Sequence, residues 1–473
     1  MQSDRSSRWI LPALIFFLAA ILRVALSGQQ LWLDEIWSVQ IATTMHSVLQ
    51  VFTLHHEINH HLNTVWLFLI GAAGSAFQYH LLSLVAGTVS VAVAGLIGAR
   101  RNAVTACLAM FAVGISYQMV LASTEARGYG TLVLASLLAY YLLESQLRRP
   151  RWPTATAYAV VTAFGLLSQP VFAAFIAAGV VWSLAAMIRN GRVTARSAAQ
   201  ALAAHVVPVL SCAALYFGDL RRVVAGGGTA AASIPAVWAT SLAWALGAPQ
   251  VAALQFVGGA LALVAIAAAL HWQWQRDRAE AVFFGAIILV FPLALIGVRG
   301  SDLVYVRHFM VATTLLLVLL SFWVGTWWQA GQSGRIACAV AVTGYAAGNA
   351  WSIAQLARFG RGEYRQALQF MVDAAHGRPA TVGGDQDFRV GTVARYYLAR
   401  EKPSPALTYL DQSAWPAGGT DWLIVQSEST EPPFPSLTSI ADDLGDRFDL
   451  VRTFPTAPLS GLHWFVYRNH AAR

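Results

Sequence analysis

Two adjacent carboxylates, Asp34 and Glu35, sit among aromatic residues in the segment LWLDEIWSVQ, residues 31–40. Charge is costly in such a setting. Partial desolvation raises a carboxylate's pKa toward neutrality, and a second carboxylate beside it discourages joint ionisation. That is the tuning a general base needs. A plainer role for Asp34 is to cap a short helix starting at Glu35, since Asp is a favoured N-cap residue. One residue can do both.

A second cluster is LHHEINHHLNTVW, residues 54–66, in which His55, His56, His60 and His61 bracket Glu57. On a helix, His56 and His60 share a face, as do Glu57 and His61. The run His56-Glu57-x-x-His60 formally matches HExxH, the signature of a zinc metalloprotease, but no third ligand is evident nearby. A divalent metal ion held by Glu57 with one or two histidines, without proteolysis, is a second reading. A polar interfacial loop whose histidines touch headgroups or substrate is a third. Further along, STEARGYG at residues 123–130 places Arg127 at the outer end of an apolar run. Arginine's planar fork suits phosphate, and Tyr129 can add a hydroxyl, although an arginine there can also snorkel to headgroups. Arg307 and His308, in RGSDLVYVRHF at residues 299–309, head a late apolar run in the same way.

The elements that must position these residues are membrane helices. Of the 473 residues, 57% are hydrophobic and 11% charged, against about 25% charged in soluble domains. Crossing a hydrocarbon layer of roughly 30 Å takes about 20 apolar residues in helical form. The sequence offers eleven such spans, at 9–27, 78–98, 103–121, 129–147, 153–169, 171–188, 199–217, 251–271, 281–298, 306–328 and 336–356. The stretch 62–76 is too short to cross and reads as interfacial. The net charge of +8 does not indicate nucleic acid, because the arginines form short clusters between spans and no continuous basic face. They report topology instead. Arg100, Arg101, Arg148, Arg149, Arg151, Arg189, Arg192, Arg196, Arg276, Arg278 and Arg335 fall in alternate loops, whereas residues 28–77 contain no Lys or Arg. The positive-inside rule then places the N-terminus in the cytoplasm and the acidic pair outside. Cys107, Cys212 and Cys338 lie within apolar spans, so no disulfide framework is expected.

An odd number of spans puts the polar tail outside as well. Helical periodicity at 363–376 and 389–400 alternates there with strand-like runs at 380–383, 407–410, 422–426, 450–454 and 462–467. The expected fold is a polytopic α-helical membrane protein with a small C-terminal α/β domain. Its organisation is a membrane domain over 1–357, including an outer loop with interfacial helices at 28–77, and an outer domain over 358–473.

An acidic pair after the first span, a His/Asn-rich segment before the second, an Arg-Gly-Tyr after the third and an Arg-His pair heading a late span together resemble the GT-C glycosyltransferases. The likeness is to the branch containing the protein O-mannosyltransferases and the lipid A aminoarabinose transferase. It covers about residues 9–350, and the tail matches only in position and general type. Where that family usually has His-Pro-Pro-Leu, this chain reads Asn59-His60-His61-Leu62-Asn63.

The resemblance implies an inverting glycosyltransferase in the bacterial cytoplasmic (inner) membrane, with its active site on the periplasmic side. Its donor would be a polyprenyl-phosphate sugar and its acceptor a lipid, glycan or protein. Asp34 is implied as the base, with Glu35 supporting it. Arg127 and Tyr129, joined by Arg307 and His308, would hold the donor phosphate. His56, Glu57, His60, His61 and Asn63 would meet the acceptor or an optional divalent metal ion. A polytopic lipid or saccharide transporter or flippase is the competing class. It would carry more polar groups and helix breaks at mid-membrane, and paired repeats.

Overall fold

A computed structural model describes residues 4–56, 59–189, 195–223, 234–294, 305–402, 406–427, 437–441 and 445–470. Its contacts divide the chain into two compact units: Met1–Ser27 with Ala42–Trp351, and Gly28–Ile41 with Ser352–Arg473.

The first unit is helical because lipid offers backbone groups no partner, so each apolar run closes its own hydrogen bonds. Among the described residues eight helices are long and apolar enough to cross a membrane, or nine if one bent pair counts as a single span. Ala76–Ala99, Tyr129–Arg148, Ala252–Arg276 and Val306–Trp327 fall where the apolar runs predict. Three of the eleven expected spans take another form. The run at 153–169 is a helix of 17 residues, Trp152–Ser168. The run at 281–298 begins as Arg278–Gly285 and a π-helical turn Ala286–Val290, and its end lies outside the described residues. The run at 103–121 is broken, with Ala103–Ile115 and Tyr117–Ser123 meeting at 62°. The short stretch after residue 60 forms the ten-residue helix His61–Ile70.

The break at Ser116 frees backbone groups inside the apolar layer, and remote side chains satisfy them. Arg23, fully buried in the first span, donates through Nη1 to the carbonyl of Gly114 (2.8 Å) and through Nη2 to that of Val113 (3.0 Å). Its Nε donates to Ser123 Oγ (3.1 Å). Across the break, Asn349 Oδ1 accepts from the backbone N–H of Tyr117 (2.6 Å), and Tyr345 donates its hydroxyl to the carbonyl of Ala112 (2.8 Å). A kink in a helix needs an identifiable cause, and here it is this set of side chains.

At one end of the helix Tyr129–Arg148, Glu144 accepts from Arg100 (2.6 Å), Arg101 (2.9 Å) and Arg148 (2.6 Å). Arg101 also reaches Glu280 (2.6 Å). Glu144 and Tyr129 belong to the same helix, 15 residues and so about 22 Å apart at 1.5 Å per residue, which places this network and Tyr129 toward its opposite ends.

The second unit holds a six-stranded sheet in the order β2-β1-β3-β6-β5-β4, with β1 Ala380–Gly384, β2 Leu407–Tyr409, β3 Trp422–Ser427, β4 Ser439–Ala441, β5 Arg447–Phe454 and β6 His463–Asn469. Strands β2, β1 and β3 run parallel and the rest antiparallel. Helices Tyr364–Ala374 and Thr392–Glu401 pack with them, the first through buried Tyr364, Leu368 and Met371. Phe448, Phe465, Tyr467 and Leu423 form a small core on the antiparallel side.

Candidate functional site

In the first unit the site grows from the junction between the broken helix and the helix starting at Tyr129. The turn before that helix carries Arg127 and is tied down from several sides. Asn63 Nδ2 donates to the carbonyl of Ala126 (2.7 Å), and Ser83 Oγ donates to that of Arg127 (2.8 Å). Gly128 is obligatory here, because a Cβ would lie 2.0 Å from the carbonyl oxygen of Ser168 and 3.0 Å from His60 Nδ1.

Arg127 is only 4% exposed, and its Nη2 donates to His60 Nε2 at 3.0 Å. The other ring nitrogen of His60 faces the carbonyl of Ser168 at 3.2 Å. A carbonyl accepts only, so the proton sits on Nδ1 and the lone pair on Nε2 receives the guanidinium. Burial, followed by the charge of Arg127, holds the His60 pKa well below its usual 6.5, and Arg307 and His61 press in the same direction. His60 is therefore a neutral acceptor that orients a buried cation. Tyr129 packs edge-on to His60, with ring centroids 5.3 Å apart, under the Arg127 guanidinium at 5.4 Å. Its hydroxyl accepts from Gln169 Nε2 (3.3 Å).

The next residue faces a different partner. His61 Nε2 lies 2.7 Å from Asp219 Oδ2, and His55 Nδ1 lies 2.6 Å from Asp219 Oδ1. Asp219 is 2% exposed. Burial lowers the His61 pKa more than Asp219 raises it, so a neutral His61 donates through Nε2 and leaves Nδ1 as an acceptor. Three buried acceptors on this segment, Asn59 Oδ1, His61 Nδ1 and Asn63 Oδ1, have no donor among the described residues. The amides cannot be flipped to supply one, because their NH₂ groups already donate to the carbonyls of Val51 and Ala126.

In the second unit, the acidic pair lies in the helix Leu33–Thr43. Trp32 is its N-cap: its carbonyl accepts from the N–H groups of Glu35 and Ile36 at 3.0 and 2.9 Å. Glu35, fully buried, folds back so that Oε2 accepts from the Trp32 N–H at 3.1 Å, the glutamate half of a capping box. Asp34 is thus not the cap that its residue type suggests. It stands in the first turn, half-buried, while its backbone carbonyl accepts from Ser38 Oγ at 2.7 Å. This segment is held to its own unit by Tyr397, whose hydroxyl donates to the carbonyl of Leu31 (2.7 Å), and by Trp37 against Phe388, centroids 4.6 Å apart.

Of the residues picked out by type and spacing, His60, Asn63, Arg127 and Tyr129 come together, and Arg307 lies within electrostatic reach of His60. His308 turns inward on its own loop, where Nδ1 accepts from the Tyr305 N–H (3.2 Å). Glu57 lies outside the described residues. The protease reading needs His56 and His60 on one helix, but helix begins only at His61 and His55 has a left-handed φ of 41°. Among the described residues no three His, Cys, Asp or Glu side chains gather as metal ligands. Both His60 nitrogens are engaged, by an arginine and by a carbonyl. Asp219 and Ser168 have site roles that sequence reasoning did not single out. The one available signal for Asp219 was a lone carboxylate closing an apolar run.

No protein-family model matches the sequence, and neither does any curated protein. Solved structures do match. The crystal structure of ArnT from Cupriavidus metallidurans bound to undecaprenyl phosphate aligns at TM-score 0.50 and 12% identity, over 96% of this chain and 97% of that one. ArnT from the same organism in the apo state aligns at TM-score 0.53 and 13% identity, over 98% of each chain. At such identity the likeness is one of fold, and it covers nearly the whole chain.

Proposed function

We propose that the protein is a glycosyltransferase that moves a sugar from a polyprenyl-phosphate donor to an acceptor hydroxyl at the outer face of the membrane, with inversion at the anomeric carbon. The observation that carries this reading is the buried Arg127, aimed by a neutral His60 and backed by Tyr129. A buried guanidinium aimed by a neutral histidine suits an anionic ligand. The structural neighbour bound to undecaprenyl phosphate supports a lipid phosphate in that role.

In this mechanism Asp34 removes the proton from the acceptor hydroxyl, and that oxygen attacks the anomeric carbon from the side opposite the phosphate. The bond from the anomeric carbon to the phosphate oxygen breaks, and the polyprenyl phosphate leaves with its electron pair. Arg127 and Arg307 stabilise the charge that develops on it, and the proton remains on Asp34. Glu35 shapes the helix that presents Asp34. Asn59, His61 and Asn63 provide acceptors for donor-sugar hydroxyls. A divalent metal ion is optional in this scheme, because arginine can supply the charge stabilisation.

The test compares lipid extracts from cells lacking the protein with cells carrying wild type, Asp34→Asn or Arg127→Ala. A polyprenyl-phosphate sugar should accumulate in the null strain and in both variants. Identical lipid profiles in all four would overturn the proposal.

A further inference from the structure

In the C-terminal sheet, β1 lies between β2 and β3 and all three run parallel, so the strand order reverses at β1. Open sheets bind ligands in the crevice outside the carboxyl ends of their strands at such a point. Here that edge is polar and incompletely satisfied. Asp385 directly follows β1, and its Oδ2 accepts from the Gln426 N–H on β3 at 3.2 Å. Its Oδ1 is buried and has no partner among the described residues, as is Oε1 of Gln426. Gln412 is fixed across the top of β1, with Nε2 donating to the carbonyls of Gly384 (3.2 Å) and Asp385 (3.1 Å). Asp387 is spoken for by the Gln412 N–H and the Tyr409 hydroxyl, each at 3.0 Å.

The open Asp385 oxygen is an acceptor whichever way the Gln426 amide is turned, so the partner it lacks is a donor. A cation fits poorly, because the nearby Arg389 guanidinium repels it and burial pushes the Asp385 carboxyl up to about 6. Neutral hydroxyl groups fit. An aromatic face is close by: Trp415 packs over Gly383, where a Cβ would come within 2.4 Å of its ring. The loop after β1 also carries Phe388, against which Trp37 packs, and Trp37 stands three residues from Asp34 on one helical face.

We propose that this edge binds the hydroxyl groups of a saccharide and that this saccharide is the acceptor of the transfer. The acceptor assignment rests on the transferase reading, whereas saccharide binding does not.

The test uses the full chain in a detergent without a sugar headgroup, titrated with methyl glucoside, methyl mannoside, methyl galactoside and maltose. Tryptophan fluorescence reports binding, and hydrogen exchange locates it. At least one probe should bind saturably and slow exchange in residues 385–391 and 410–414. Asp385→Asn should weaken binding by about tenfold or more. The Gln426 N–H will claim the amide oxygen, so the NH₂ group falls where the ligand needs an acceptor. Gln426→Leu should weaken binding similarly, and undecaprenyl phosphate affinity should not change in either variant. No saturable binding, protection elsewhere, or unaltered affinity in Asp385→Asn would overturn the site. The exchange result on wild type stands even if a variant fails to fold. A wild-type protein that binds saccharide but no undecaprenyl phosphate overturns the acceptor assignment alone.

Discussion

Replacing His60 by leucine removes two hydrogen bonds from a residue that is 3% exposed. The bond from Arg127 at 3.0 Å involves a charged group and is worth about 1.5–3 kcal/mol, and the bond to the Ser168 carbonyl about 0.5–1.5 kcal/mol. Leucine's greater apolarity offsets little, because a donor and an acceptor are both left buried. The expected loss of stability is therefore about 2–4 kcal/mol. Part of it reaches the ligand: an Arg127 side chain that must be re-ordered on binding costs about 1 kcal/mol, or roughly fivefold in affinity for undecaprenyl phosphate. His60→Gln, which can accept from Arg127 and donate to Ser168, should recover much of both.

The pH profile provides an independent check on the same residue. The folded state holds the His60 pKa well below 6.5, under pressure from burial, Arg127, Arg307 and His61. The unfolded state consequently binds more protons once the pH falls below the ordinary histidine value, and wild-type stability drops there. His60→Gln lacks that component, so its melting temperature should fall less between about pH 7.5 and about pH 5. Thermal unfolding in detergent and equilibrium binding of undecaprenyl phosphate read out both effects. A leucine variant with wild-type melting, pH profile and affinity would refute the orienting role of His60.

Asp34→Asn should abolish transfer while the protein still folds and inserts; retained turnover in reconstituted vesicles would remove it as the base. Gly128→Ala should be severely destabilising, judged by recovery of folded protein in detergent, because its methyl group meets the Ser168 carbonyl at 2.0 Å. Arg23→Leu strands the Val113 and Gly114 carbonyls in the apolar layer and should cost about 2–6 kcal/mol, measured by unfolding in SDS–detergent mixtures. Asp385 has its pKa raised from 3.8 to about 6, so the folded state binds the extra proton in that window. Stability should fall as pH rises through it, and Asp385→Asn, which faces the same Arg389, should flatten that slope in thermal melts.

Local pattern carried the elements far and their irregularities hardly at all. The spans at Ala76–Ala99 and Val306–Trp327, and strands such as β3 and β6, are legible because burial in lipid or in a sheet imposes a period on the sequence itself. Strand β4, Ser-Ile-Ala at Ser439–Ala441, lacks the apolar-polar-apolar alternation that makes the equally short β2, Leu407–Tyr409, legible. The break at Ser116 has no proline to announce it and only Gly114 two residues before it, a residue common in apolar helices, and the side chains that hold it, Arg23, Tyr345 and Asn349, are remote in sequence. In the candidate site, Arg127 and His60 were legible as residue types suited to phosphate and polar contact. Their mutual orientation was not, because it depends on a carbonyl at Ser168 that any residue would provide. Asp219 meets its histidines across 164 and 158 positions, a separation on which no motif reports. The separate duties of Asp34 and Glu35 emerge only from the fold, where one carboxylate caps its helix and the other does not.

Arg23 has a consequence for how the chain is made. Besides the Ala19 carbonyl in its own helix, its carbonyl partners lie 90 and 91 residues downstream, and Ser123 lies 100 downstream. At synthesis rates of about 5–20 residues per second, the first helix waits roughly five to twenty seconds before those groups leave the ribosome. An arginine at the centre of an inserting helix costs about 2.5–3.5 kcal/mol; Arg23, in the last turn of Asp4–Leu26, costs less, and the surrounding Leu, Ile and Phe residues repay it in increments of about 0.3–0.6 kcal/mol each. The helix can therefore enter the bilayer alone, but its guanidinium keeps only the Ala19 carbonyl of its own helix until the broken helix arrives. A chain stalled before residue 113 would leave Arg23 without the Val113, Gly114 and Ser123 oxygens that it holds in the finished fold.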